Sequence, residues 1–63
     1  MEEIYIKVIQ NGIRAIKLGS KTPQEANLSK SFTGLKPLNV GMYDELMNNY
    51  KAVVETYNKK NPK

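Results

Sequence analysis

From Ile4 to Leu18 the chain reads as two short β-prone runs, Ile4-Tyr5-Ile6-Lys7-Val8-Ile9 and Ile13-Arg14-Ala15-Ile16-Lys17-Leu18, separated by Gln10-Asn11-Gly12. Asn-Gly between such runs is a strong short-range signal for a β-hairpin. A two-residue turn would set Lys17 opposite Ile6 and Ile16 opposite Lys7, mixing charge into both faces. A three-residue loop with Gly12 in the left-handed bulge position sets Ile4 opposite Leu18 and Ile6 opposite Ile16. That register predicts one apolar face made of Ile4, Ile6, Val8, Ile16 and Leu18. The second face carries Tyr5 beside Lys17, Lys7 beside Ala15, and Ile9 beside Ile13.

Thr22-Pro23-Gln24-Glu25 has the layout of a capping box, with Pro at the first helical position and Glu at the third, and predicts one or two helical turns. Residues 29–34 look extended and predict a short third antiparallel strand, closed by Gly34 and Pro37. Asn39 predicts the cap of a long helix reaching about Asn58. Over that span Val40, Met42, Tyr43, Leu46, Met47, Tyr50, Val53, Val54 and Tyr57 fall in one arc of roughly 160°. The expected fold is therefore α+β: an N-terminal β-hairpin, a third antiparallel strand, and one long C-terminal amphipathic helix packed on the sheet. Residues 1–58 would form one small domain, and residues 59–63 a basic, frayed C-terminal tail.

Composition narrows the chemistry. With 63 residues the chain is the size of one small domain. It contains no Cys and no His, which excludes disulfides, thiol nucleophiles, imidazole bases and the usual zinc sites. Asp44-Glu45 is an adjacent carboxylate pair, but consecutive helical residues point about 100° apart and do not converge on one atom. Ser29-Lys30-Ser31 fails as a nucleophile and base for the same kind of reason, since neighbours in a strand face opposite sides. Gly12, Gly19, Gly34 and Gly41 are too dispersed for a phosphate loop. Gly12 and Gly34 read as turn residues, and Gly41 as the mark of a close contact against the sheet. The sequence thus predicts a protein that is not an enzyme and has no cofactor, metal or small-molecule substrate.

The formal net charge is +4, but Lys59, Lys60 and Lys63 lie at the end; residues 1–58 hold seven basic and six acidic groups, a net of +1. No apolar run is long enough to span a bilayer, and Met1-Glu2-Glu3 lacks the layout of a secretion signal, so a cytoplasmic protein is expected. Lys, Asn, Ile, Tyr and Phe supply 26 of the 63 residues against a single Arg, which points to an A/T-rich bacterial or phage genome.

A domain this small has a thin stability margin and often relies on a second copy of itself. The wide apolar arc of the long helix exceeds what three short strands can cover, and the surplus predicts a partner surface. The expected function is a non-catalytic protein–protein interaction module, homodimeric, of the accessory or inhibitor type found in phages and mobile elements. Its partner-binding residues would be Tyr5, Lys7, Ile9, Ile13 and Lys17 on the second hairpin face. Tyr43, Tyr50 and Tyr57, spaced by seven, would pack the core. The alternative is nucleic-acid binding through the ribbon and tail, using Lys7, Arg14, Lys17, Lys59, Lys60 and Lys63.

Overall fold

The computed structural model describes residues 2–60, and every element in them is helical: α1 (Glu2–Leu18), α2 (Pro23–Ala26), α3 (Ser29–Leu35) and α4 (Val40–Lys60). The expected α+β fold is overturned. Among the described residues there is neither a hairpin over residues 4–18 nor a strand over 29–34.

The physical reason lies in which periodicity buries more. Wound as a helix, Tyr5, Ile6, Ile9, Gly12, Ile13 and Ile16 fall within about 120° of circumference, a stripe wide enough to meet two other helices. Ile9 has 0 % of its surface exposed and Ile16 is also buried. Glu2 and Glu3 stand in the first turn and Lys17 in the last, the arrangement that favours the helix dipole. Gly19, at φ 80°, ends α1: the Gly19 N–H donates to Ile16 O at 3.1 Å and the Ser20 N–H to Ala15 O at 2.8 Å. This is a Schellman closure, which turns the chain back on itself.

Two local predictions hold as read. In the capping box of α2, the Glu25 N–H donates to Thr22 Oγ1 at 3.0 Å and the Thr22 N–H to Glu25 Oε1 at 2.9 Å. Asn27, in the left-handed region at φ 45°, stops that helix after one turn. Asn39 caps α4, accepting from the Met42 N–H at 3.1 Å through Oδ1. The long helix continues through Lys60, two residues past the expected end near Asn58.

Helix α3 runs back along α1. A Cβ built on Gly12 would lie 2.6 Å from Leu28 Cδ2, and one on Gly34 would lie 2.6 Å from Tyr5 Cζ. The pairing of residue 12 with 28 and of 5 with 34 makes the two helices antiparallel. Both glycines therefore serve close helix approach, not turns. Thr33, unsuited to a helix interior, directs its hydroxyl to Ser29 O at 2.9 Å. Helix α4 then rises beside both, in the same sense as α1, with Ile13 near Leu46 and Ile16 near Val53 across the α1–α4 seam.

The core is Ile9, Leu28, Phe32, Leu35 and Leu46. Phe32 presents its ring to Tyr43 and Tyr50 edge-on, at centroid distances of 5.8 and 5.4 Å. Gly41 does not mark a close contact: a Cβ there would meet only Asn39 Oδ1, at an ordinary 3.5 Å. Gly41→Ala is therefore expected to stabilise the domain by about 0.5 kcal/mol through reduced freedom of the unfolded chain. A rise in the urea midpoint at unchanged slope would record it.

Candidate docking surfaces

The seven-residue α3 reaches only part of the 21-residue α4, its Phe32 meeting Tyr43 and Tyr50. The consequence is visible along its apolar arc. Leu46 alone is buried; Met42, Tyr43, Met47, Tyr50, Val53, Val54 and Tyr57 are partly buried, and Val40 is exposed. Past Tyr50 the end of α1 lies beside the helix, and between them a groove of about 510 Å³ opens, walled by Ile16, Leu18, Ala52, Val53 and Tyr57. The exposed Lys17 and Lys60 also line it.

Overall dimensions agree with an incompletely closed bundle. The molecule measures 35 × 17 × 15 Å with a radius of gyration of 11.5 Å, where a compact chain of this length has about 10.6 Å. Its accessible surface is 4754 Å², against about 4,100 Å² for a folded monomer of the same mass.

A second surface lies on the outer side of α1. Ile4, Val8, Asn11, Ala15 and Leu18 follow one another at spacings of four, three, four and three, and so share an arc of about 80°. Leu18 is 73 % exposed, Ile4 61 %, and Val8 is exposed as well. The hairpin register buries these three side chains, whereas the helix turns them outward.

The residues expected to bind a partner are dispersed by the helical winding. Ile9 is in the core, not on a face. Tyr5 and Ile13 are partly buried and pack against that core, Tyr5 over Gly34. Lys7 and Lys17 are exposed on α1, as is Arg14. The two-stranded ribbon that the nucleic-acid alternative needed is absent from the described residues, and its cations are scattered. Lys59 pairs with Glu55 at 3.6 Å, an exposed i, i+4 bridge that contributes little. Lys60 lines the groove, and Lys63 lies outside the described residues. The residues missed by the sequence reading are Ile4, Val8, Leu18, Ile16 and Val53; for the first three the signal was present, as the four-three spacing.

Compared with protein-family models, curated proteins and solved structures, the chain finds no match. Among the described residues no helix is long and apolar enough to cross a membrane.

Proposed function

We propose that the chain is a non-catalytic protein-interaction module, a small homodimeric accessory or inhibitor protein that acts by contact, with a second copy seated on the groove between the ends of α1 and α4. The observation that carries this reading is the groove itself, together with a total accessible surface larger than that of a compact monomer of the same mass. If each copy hid its excess of about 600 Å² over a compact monomer, the pair would lose about 1,200 Å², the lower edge of specific protein interfaces. That area supports a weak dimer.

Sedimentation equilibrium over a wide concentration range tests it. The expected result is a reversible monomer–dimer equilibrium. Val53→Asp should weaken association by about tenfold or more, since it sets an unpaired charge in the contact. Val53 lies outside the core cluster, so helical circular dichroism should be retained. Because Lys17 and Lys60 line both copies' grooves, added salt should strengthen pairing by screening them. A monomer at every concentration would contradict the dimer.

A further inference from the structure

We infer that the outer face of α1 is a docking seam for an acidic amphipathic helix of another protein, an inference that rests on the contact-module reading and names its partner's chemistry. The four-three spacing of Ile4, Val8, Asn11, Ala15 and Leu18 gives a continuous ridge about four turns long, the pattern that packs knobs into the holes of a facing helix. Ile4, Val8 and Leu18 are exposed along it, and Leu18 at its end also borders the groove between α1 and α4.

Charge decides the occupant. Lys7 and Arg14 stand seven residues apart along one flank of the ridge, separated by about 10 Å along the axis. Neither has a carboxylate within ion-pair distance among the described residues, even though Glu3 precedes Lys7 by one turn. The other flank, through Tyr5 and Gly12, is closed by α3. A helix bearing carboxylates seven residues apart beside its own apolar stripe would meet Lys7 and Arg14 together.

The same two cations argue against a second copy here. Antiparallel pairing about Asn11 sets Lys7 of one copy near Arg14 of the other, on the same side, which repels. A membrane surface fits less well, because the ridge has an amide, Asn11, at its middle, a small Ala15 beside it, and no aromatic residue. In a helix pair that central Asn fixes register at some cost in affinity.

The test uses the full chain and two synthetic helical peptides of three heptads, alike in their Leu and Ile seam. One carries Glu and the other Lys at the flanking positions. In a fluorescence titration the Glu peptide should bind about tenfold more tightly than the Lys peptide. Raising salt from about 0.1 M to about 1 M should shrink that preference, opposite to the trend expected for dimerisation. The double variant Lys7→Glu with Arg14→Glu should invert the preference, and Val8→Asp should weaken Glu-peptide binding about tenfold with unchanged circular dichroism and sedimentation. Equal binding of both peptides would overturn the inference. So would a Val8→Asp variant that loses dimerisation, or one that loses binding to anionic vesicles or duplex DNA while the Glu peptide never binds. A normal dimer that ignores the Glu peptide would defeat this inference alone; a monomer that ignores it would defeat both readings.

Discussion

Phe32→Ala is expected to abolish the cooperative unfolding transition at room temperature. Phe32 is only 4 % exposed, shares the core cluster with Leu28, Leu35 and Leu46, and makes edge-on contacts to both Tyr43 and Tyr50 of α4. Truncating a buried Phe to Ala costs about 3–5 kcal/mol, of which the cavity is a large part, and aromatic pairs add about 0.5–1.5 kcal/mol each beyond their buried area. At the usual 0.05–0.15 kcal/mol per residue, this chain holds only about 3–9 kcal/mol in total. The loss therefore consumes most or all of the margin. Phe32→Leu keeps apolar volume and should retain a transition, weakened by about 1–2 kcal/mol. Urea titration followed by far-UV circular dichroism measures both, and an Ala variant that loses less than about 1 kcal/mol would show that Phe32 is not where the bundle is held together.

Gly12→Ala is expected to destabilise the domain by about 1–3 kcal/mol, although Ala is the better helix former by up to about 1 kcal/mol. The added methyl would meet Leu28 at three atoms, Cδ2 at 2.6 Å, Cδ1 at 2.9 Å and Cγ at 3.1 Å. Leu28 cannot swing aside, since it is 2 % exposed and belongs to the core. Either α1 and α3 move apart or a side chain leaves its rotamer. A double-mutant cycle isolates the cause: combined with Leu28→Ala, the substitution should cost less than the two single losses added together. Additive losses would mean that residues 12 and 28 do not touch.

Those two residues also explain what could be read from the sequence. Local chemistry was legible wherever a side chain acts on its own backbone, as at the Thr22–Glu25 box and the Asn39 cap of α4. The long helix was legible because its apolar residues repeat at helical spacing over many turns. Between Ile4 and Leu18 two periodicities compete, because Ile and Val are dense enough to satisfy either. Asn11-Gly12 then favours a turn on local grounds. What decides the outcome is nonlocal: a helix lets Ile9 and Ile16 reach the interior, and Gly12 lets α3 approach closely. A residue's partner sixteen positions along the chain leaves no mark in the local pattern. The same reversal carried over to the candidate site, taking Ile9 inward and Ile4, Val8 and Leu18 outward. The apolar arc of α4 was legible, while which part of it lies past α3 was not, because that depends on how short α3 is.

Both docking surfaces require residues 2–18 to be one uninterrupted helix, since a hairpin would return Ile4, Val8 and Leu18 to the interior and break the Lys7–Arg14 row. Backbone chemical shifts measured by NMR across Ile4–Leu18 test that requirement most directly. Helical Cα shifts running without a break through Asn11 and Gly12 are expected, with sequential amide–amide contacts along the whole segment. Extended-chain shifts on either side of a turn at Asn11-Gly12, with cross-strand contacts between Ile6 and Ile16, would contradict it.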